Sequence, residues 1–368
     1  MKVAYSQNKE IAGAVTALKN ELSPSKKDLV LYFASSNYNP AVLASTMNAE
    51  MGATSVGCTT SGELISGKML DDSIVAMCLD NEVIEDFGVA LVENLSVGLN
   101  SKIDEAFSSF EKHFGCSMSE MNYEDYVGMI LSDGLSNKEE VVIDAIGNKT
   151  NVLFVGGSAG DDLKFKNTHI YHNEAVATHA SVLVLLKPKN GFEILKTQSF
   201  KPTGKSLTVT KAIEDERRVK ELNGMPATQA YAEQLGCEES ELSSTAFHSP
   251  LGIMISDTEP FVRSPRVMED QDVLFYCSIK EGQELDVLES TDIIDETASA
   301  LKTKFQESGT PACIINFNCI LRKLELIETK KDQAYADLFK DIPTIGFHTY
   351  GESYIGHINQ TATMLLLK

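Results

Sequence analysis

The stretch VGCTTSGE at residues 56–63 decides how the chain is read, because an apolar strand-like run ends there in a turn that contains glycine. The same arrangement recurs as VGGSAGD at 155–161 and as IGFHTYGE at 345–352. Each copy runs from a strand through glycine and small or hydroxyl residues to a second glycine and a carboxylate. Glycine at a strand end permits positive φ and a close approach to a ligand or to another backbone. The repetition therefore favours three turns that face a shared crevice, with plain backbone packing as the alternative at each turn.

Apolar runs and helical periods alternate around the first two turns. Strands are predicted at 29–33, 54–58, 74–79, 87–92, 126–131 and 151–155, and helices at 40–51, 101–114 and 137–146. We expect Asn137 to cap the last of these helices, with Glu140 three residues further on. Residues 169–212 are predicted to form an antiparallel meander without helices.

The pattern changes near Asp215, where a second part of the chain is predicted to begin. A helix is predicted at 226–235, because Pro226 stands at its start and Gly236 just after its end. Further helices are predicted at 291–305 and 332–339, and strands within 261–288 and at 312–318 and 361–367. No low-complexity linker separates the parts. We therefore predict an α/β (α+β) fold of two tightly packed domains, 1–214 and 215–368, with mixed β-sheets flanked by helices.

The composition excludes several classes of protein. The formal net charge of −21 repels phosphate backbones and anionic lipid, so we expect neither nucleic acid nor a membrane as a partner. The chain has no apolar run long enough for a membrane span, and residues 1–20 lack the apolar middle of a signal peptide. The seven cysteines form no CxxC pair, so disulfides, a zinc knuckle and covalent haem are unsupported. We expect a cytoplasmic protein.

Catalytic motifs are not supported either. The chain has no GxxxxGK[ST] phosphate loop and no GxGxxG opening a helix. Cys58 or Ser61 could be a nucleophile only with a base that the sequence does not identify. His169 and His172 lie in strand-like sequence, where side chains three apart point to opposite faces. A metal site and an enzyme are therefore not expected.

At this point the motifs resemble a known family. GCTTSGEL (57–64), SDG (132–134) and GGSAGDD (156–162) are similar to the N-terminal module of the FIST family. ELNGMPATQAYAEQLG (221–236), FVRSP (261–265), INFNCILR (315–322), GFHTYGES (346–353) and HINQTATMLL (357–366) are similar to its C-terminal module. The resemblance covers almost the whole chain in the expected order. It implies a non-catalytic sensory module that acts through another protein, because the chain carries no kinase or cyclase module.

Stand-alone members with both modules include nitric-oxide-sensing (NosP) proteins. The resemblance thus implies haem b, nitric oxide as the signal, and control of a partner histidine kinase in two-component or cyclic-di-GMP signalling. For the iron we expect His357 as the axial ligand, with His348 second and Cys319 as a lesser candidate. Asn359, Gln360 and Thr361 are expected to orient His357.

The remaining candidate residues would line the cavity. Arg263 and Arg322 would pair a propionate or a ligand carboxylate, and Tyr350, Phe347 and Tyr354 would line the pocket. The turn positions expected to contact a ligand are Gly57, Thr59, Ser61, Gly156, Gly157, Asp161, Gly351 and Glu352.

Two other interpretations stay open at this stage. One is a haem-free sensor of a small ligand such as an amino acid, whose carboxylate and ammonium would be read by Arg322, Glu352 and the turns. The other is an enzyme that uses the same crevice. A homodimer is also compatible with the sequence.

Overall fold

Residues 1–197 fold together with two later segments, 297–357 and 362–368, whereas 198–296 and 358–361 form a second compact unit. The computed structural model describes residues 1–256 and 259–368. The fold is of the predicted α+β class, with helices and several sheets. The two units mix early and late parts of the chain, whereas the predicted modules 1–214 and 215–368 follow sequence order and remain a prediction.

The elements are given in chain order. The first are β1 (Lys2–Ser6), α1 (Ile11–Leu22), β2 (Leu29–Ser35), α2 (Pro40–Met51), β3 (Thr54–Thr60), β4 (Glu63–Ile65), β5 (Lys68–Leu70), β6 (Ile74–Leu79), β7 (Ile84–Val92), α3 (Leu99–Phe114), β8 (Val127–Ser132), α4 (Glu139–Gly147), β9 (Phe154–Ser158), β10 (Ile170–His172), β11 (Ala175–Ala177), β12 (Ser181–Pro188) and β13 (Phe192–Gln198). Then come β14 (Phe200–Ile213), β15 (Arg218–Leu222), β16 (Met225–Pro226), α5 (Ala227–Leu235), α6 (Leu242–His248), β17 (Leu251–Ser256), β18 (Glu259–Arg263), β19 (Pro265–Glu269), β20 (Asp272–Phe275) and β21 (Glu284–Ser290). The last are α7 (Ile293–Ser308), β22 (Cys313–Cys319), α8 (Ile320–Glu328), α9 (Asp332–Asp337), β23 (Thr344–Thr349), β24 (Glu352–Tyr354), β25 (Gly356–Ile358) and β26 (Thr361–Leu367).

The first unit contains three six-stranded sheets with the same strand plan. Their orders are β1-β6-β2-β3-β10-β11, β7-β12-β8-β9-β24-β25 and β13-β26-β22-β23-β4-β5. In each sheet the third and fourth strands are a parallel pair, joined by helix α2, by α4 or by α8 and α9. An antiparallel strand follows on each side of that pair. The unit is thus built from three repeats, which we call the first (β2-α2-β3), the second (β8-α4-β9) and the third (β22-α8-α9-β23).

The repeats exchange strands in a ring. The strand that follows the first glycine turn, β4, pairs with β23 of the third repeat. The strand after the third turn, β24, pairs with β9 of the second repeat, and β10, which follows the second turn, pairs with β3 of the first. This ring explains why a segment near the C-terminus belongs to the same unit as residues 1–197.

Alternation along the strands separates an inner face from an outer face in each sheet. The inner residues of all three sheets share one apolar core, which includes Leu31, Met129 and Ile315. The outer face of the first sheet packs on α1 and α2, and that of the second on α3 and α4, each in its own apolar cluster.

The first glycine of each motif is needed by the parallel strand pair. A Cβ at Gly57 would collide with the carbonyl oxygen of Tyr32, and one at Gly156 with that of Ile130. Gly346 meets the backbone of β22 in the same way. For this glycine, close approach to another backbone is therefore the role that the structure assigns.

The second unit is built on an eight-stranded antiparallel arrangement. Its strand order is β18-β17-β21-β14-β15-β20-β19, with β16 paired to β15. Helices α5 and α6 supply Tyr231 and Leu242 to its apolar core. Gly236 ends α5 in a left-handed conformation, as the sequence predicted.

Some predictions were wrong. Asn137 does not cap α4: it has φ of 52°, and the N-cap residue is Lys138, which makes no side-chain cap bond. The strands between 169 and 212 are not one meander, because they distribute among four sheets. Helices α1 and α8 were not predicted.

Candidate functional site

The three glycine turns are hydrogen-bonded to one another through their backbones. The bonds run from Ser61 N to His348 O (3.2 Å), from Gly160 N to Thr59 O (3.0 Å) and from Ser158 N to Gly351 O (2.9 Å). Each turn is therefore linked to both of the others, and the turns lie together as the sequence led us to expect.

Asp161 in the second turn is occupied by the loop that follows it. Its carboxylate accepts the backbone N–H groups of Phe165 (2.9 Å), Lys166 (2.6 Å) and Asn167 (3.0 Å). The hydroxyl of Tyr350, from the third turn, donates to the same carboxylate at 2.5 Å. These bonds give Asp161 a structural role, and a ligand contact by Asp161 or Tyr350 remains a prediction.

The polar groups of the first turn also have partners within the protein. The hydroxyl of Thr59 accepts from the His169 amide at 2.9 Å. The hydroxyl of Ser61 accepts from the Asp162 amide at 3.1 Å, and its carbonyl accepts from Lys323 Nζ at 2.9 Å. Lys323 thus ties the start of α8 to the first turn.

The first and third turns end in the same pair of side chains. Thr60 donates to Glu63, and Thr349 donates to Glu352, across a spacing of three residues. Both carboxylates are fully buried. Burial raises the pKa of Glu63 to about 8, although hydrogen bonds from Ser73 and Thr60 oppose that rise. Glu63 is therefore largely protonated at neutral pH.

The outer face of the third sheet carries polar side chains where the first carries apolar ones. Strand β22 places Asn316 and Asn318 on this face, and His348 of β23 is paired with Asn318. In the first repeat the positions of the two asparagines are held by Tyr32 and Ala34. We call the buried network of the third repeat the polar layer; its members are Thr297, Asn316, Asn318, Arg322, Tyr335 and His348.

Arg322 is the cation of the polar layer. Its side chain is 1% exposed, and the guanidinium lies 5.7 Å from the ring of Tyr335. Nε donates to Asn318 Oδ1 (2.9 Å) and Nη2 to Thr297 Oγ1 (3.0 Å), which are both neutral oxygens. Nη1 has no hydrogen-bond partner among residues 1–256 and 259–368. An unsatisfied buried donor costs about 1–3 kcal/mol, and more when the group is charged.

The network fixes the tautomer of His348. The Tyr335 hydroxyl (3.0 Å) and Arg322 Nε both donate to Asn318 Oδ1, so the Asn318 NH₂ group is the one that faces His348 Nδ1, at 3.0 Å. Nδ1 is therefore the acceptor, and the proton is on Nε2. Burial lowers the pKa of His348 well below its usual value, and Lys323 and Arg322 lower it further. The neutral ring thus offers an N–H at Nε2, which has no partner in the described part of the chain.

The predicted haem ligands do not fit an iron in this arrangement. An axial imidazole binds iron through a nitrogen lone pair, whereas Nε2 of His348 carries the proton. His357 is 3% exposed, but the ring edge that includes Nε2 lies against Gly351, where a Cβ would collide with it.

The residues expected to orient His357 have other partners. Asn359 Oδ1 accepts from the Cys277 thiol at 2.8 Å. Gln360 accepts from the Ser264 hydroxyl at 2.7 Å and donates to the Phe247 carbonyl at 3.0 Å. The orienting role expected of Asn359 and Gln360 remains a prediction.

The other predicted pocket residues have different environments. Phe347 packs in the inner core, 4.6 Å from the ring of Phe33, so its expected role as pocket lining was wrong. Cys319 is buried at the end of β22. Arg263 lies in the second unit and donates to the carbonyl of Val262 at 3.2 Å.

Two cavities lie beside the repeats. One of about 670 Å³ is lined by β7 residues together with His113 and His172. Another, of about 400 Å³, lies between α7 and the residue that follows α9, and is lined by Ala298, Leu301, Lys302, Phe305, Gln306 and Leu338. In the described part of the chain, no group of three or more His, Cys, Asp or Glu side chains is arranged to hold a metal ion. No helix within residues 1–256 or 259–368 is long and apolar enough to cross a membrane.

Comparison with known proteins identifies the class to which this arrangement belongs. The model of the FIST N domain matches residues 28–225, and that of the FIST C domain matches residues 227–354. The chain belongs to the FIST family. FIST domains are sensory domains of signal transduction.

The chain is also similar to a protein of Methanocaldococcus jannaschii. The chain is 25% identical over 308 residues to the uncharacterized protein MJ1623 of Methanocaldococcus jannaschii. The match covers 78% of this chain and 57% of the relative, so the chain spans little more than half of that protein's length.

Sequence reasoning missed most of the polar layer. Only Arg322 and His348 were among the candidates, whereas Asn316, Asn318 and Tyr335 were not. The signal was present in INFNC (315–319), where two amides alternate with apolar residues in a strand. Such alternation places both amides on one face of a sheet, where they need partners if that face is buried.

Proposed function

We propose that this chain is a cytoplasmic input module of a signalling pathway. It binds a small ligand in its first unit and controls a partner protein, with a histidine kinase as the first partner to test. One observation carries the proposal: the backbone bonds that join the three turns link segments from both family-matched regions. A ligand that displaces one turn therefore displaces the others, which is how a binding event can change a distant surface.

A haem-free polar ligand is the candidate that the geometry supports best. Arg322 Nη1 and the N–H at His348 Nε2 are buried hydrogen-bond donors that have no acceptor in the described part of the chain. Donors of this kind suit a small anionic molecule and give no role to an iron. We assign the chain no catalytic step.

Haem b that reports nitric oxide is the second candidate. It rests on the buried imidazole of His357, whose Nε2 edge would have to turn away from Gly351 to meet an iron. Protein expressed with added haem is examined by its visible absorption spectrum. A Soret band that survives His348→Ala but is lost in His357→Ala would favour this candidate over the first. Absence of the band, with no haem transfer from a donor protein, would exclude it.

The regulatory output is tested with purified proteins. The chain is titrated against each histidine kinase of its source organism while autophosphorylation is measured. We expect one kinase to change its rate, and Tyr350→Phe, which removes the bonds of the third turn to Asp161 and to the Leu163 amide, to weaken that effect. An exposed variant, Tyr123→Phe, is the matched control. If no kinase responds at a saturating concentration of the chain, the proposed output is wrong.

A further inference from the structure

The polar layer stands out because the unit contains two further copies of the same architecture. Tyr32 in the first repeat and Ile130 in the second occupy the strand position of Asn316, and each belongs to an apolar cluster under helices. The corresponding layers of the first two repeats are therefore mainly apolar, although the buried Tyr32 hydroxyl also has no hydrogen-bond partner among the described residues. The third repeat does not need polar groups to form this architecture, so their presence calls for another reason.

The polar layer contains atoms that can form hydrogen bonds but have no partner in the described part of the chain. The chain of bonds runs from Asn316 Nδ2 to the Tyr335 hydroxyl (3.2 Å), and from that hydroxyl to Asn318 Oδ1 (3.0 Å). Among the described residues, three polar atoms of the layer remain without a partner: Arg322 Nη1, His348 Nε2 and Asn316 Oδ1. The first two are donors, one of them cationic, and the third is an acceptor.

The chemistry of these atoms selects a ligand class. A carboxylate accepts hydrogen bonds from a guanidinium and from a neutral imidazole N–H, and its charge offsets that of the buried arginine. An acceptor such as Asn316 Oδ1 suits a hydroxyl or amino group on the same molecule.

A groove lies on helix α7 near the polar layer. It has a volume of about 400 Å³ and is lined by Ala298 and Leu301, which are close in sequence to Thr297, the residue whose hydroxyl accepts from Arg322. Leu301, Phe305 and Leu338 make much of its lining apolar. The groove suits a short apolar chain.

The layer is also joined directly to the first turn. The amide of His348 donates to the carbonyl of Gly62 at 2.9 Å, and Lys323, next to Arg322, donates to the carbonyl of Ser61 at 2.9 Å. A ligand that repositions His348 or the start of α8 would therefore move the backbone of the first turn.

We propose that the polar layer binds the carboxylate of a small organic acid, with Arg322 Nη1 and His348 Nε2–H as its donors. This assignment rests on the proposed sensory function and names the ligand class for it. Carboxylic acids bearing a hydroxyl or amino group next to the carboxylate would in addition engage Asn316.

Binding is measured by calorimetry and by thermal shift, with acetate, glycolate, glycine and butyrate as probes and with sulfate and phosphate as competing anions. We expect a carboxylate to raise the melting temperature of the wild-type protein, and glycolate or glycine to bind more tightly than acetate. Arg322→Met should weaken carboxylate binding at least tenfold, while Tyr32→Phe, in the equivalent layer of the first repeat, should leave it unchanged. If Arg322→Met does not fold, Arg322→Lys, which keeps the charge but loses the second donor arm, should still bind more weakly than wild type.

Several outcomes would overturn the assignment. They are the absence of any carboxylate response in the wild type, an unchanged affinity in the Arg322 variants, and an equal response to sulfate. The sensory function fails separately: carboxylate binding that depends on Arg322, without any effect on a kinase, would leave the site in place and remove the proposed output.

Discussion

Glu63 predicts an unusual dependence of stability on pH. The carboxyl is buried, with Ser73 donating to it through its amide (3.2 Å) and its hydroxyl (2.6 Å). Burial is the largest cause that raises its pKa from 4.5 to about 8, and the nearby charge of Asp162 adds to the rise. A folded-state pKa above the unfolded value means that the native protein holds the proton more tightly. The stability contributed by this group is therefore complete below pH 4.5 and is lost as the pH rises through 8.

The size of this loss of stability follows from the difference between the folded and unfolded pKa values of Glu63. A difference of roughly 3.5 pKa units corresponds to about 5 kcal/mol, at about 1.36 kcal/mol per unit. Glu63→Gln keeps the acceptor oxygen and removes the titration, so the variant should not lose this stability. Between pH 4.5 and 8.5, its unfolding free energy relative to wild type should rise by about 4 kcal/mol in favour of the variant.

Urea unfolding at a series of pH values measures this difference directly. Glu124→Gln is the matched control, because Glu124 is an exposed carboxylate. The control should follow wild type at every pH. A stability difference for Glu63→Gln that stays constant within about 1 kcal/mol across the range would refute the reasoning.

Three further predictions follow from the packing of the repeats. Gly156→Ala should destabilise the protein by about 1–3 kcal/mol or more in urea unfolding, because its Cβ would collide with the carbonyl of Ile130; unchanged stability would contradict the close strand approach. Tyr350→Phe should lower the free energy of unfolding by about 1–3 kcal/mol and speed proteolysis within residues 161–169, because the hydroxyl forms hydrogen bonds with both Asp161 and the Leu163 amide. An unchanged cleavage rate would count against this anchoring of the loop by Tyr350. In buffer without carboxylates, Arg322→Met should lower the free energy of unfolding by no more than about 1 kcal/mol, because removing an uncompensated buried charge offsets the lost hydrogen bonds. A much larger decrease would mean that the charge of Arg322 is already neutralised within the protein.

Local patterns predicted the elements better than their arrangement. Helix α2 begins at Pro40 and ends at Met51 as the sequence indicated, because an apolar stripe and a proline at the first turn are local signals. The three repeated glycine motifs led to the correct prediction that the turns lie together. A glycine that lets a neighbouring backbone come close is also a local signal in the sequence.

The exchange of strands between repeats could not be predicted in this way. Each of β4, β10 and β24 is three residues long and pairs with a strand far away in sequence. Nothing in three residues specifies which sheet edge they join, so residues 169–212 looked like one meander. The prediction that Asn137 caps α4 was wrong because asparagine has two common roles at such a position. It can cap a helix, but it also tolerates the left-handed conformation that it adopts here, one residue before the cap.

Only part of the site was predicted, because a sequence can indicate single candidate residues but not the hydrogen-bond network that they form. Arg322 and His348 were selected as a rare cation and a potential ligand. Their chemistry depends on Asn318, whose amide is oriented by Tyr335 from another helix. That orientation decides whether the imidazole presents a lone pair or an N–H, and it therefore turned His348 from a candidate iron ligand into a donor for an anion.

The protonation of His348 is the most direct test of this account. Two-bond proton–nitrogen NMR correlation on protein labelled with ¹⁵N-histidine reports which ring nitrogen carries the proton, with His348→Gln to assign the signal. We predict a neutral ring at pH 7 with the proton on Nε2, and a change in the Nε2 shift when glycolate is added. A ring protonated on Nδ1, or one that does not respond to any carboxylate, would contradict the account.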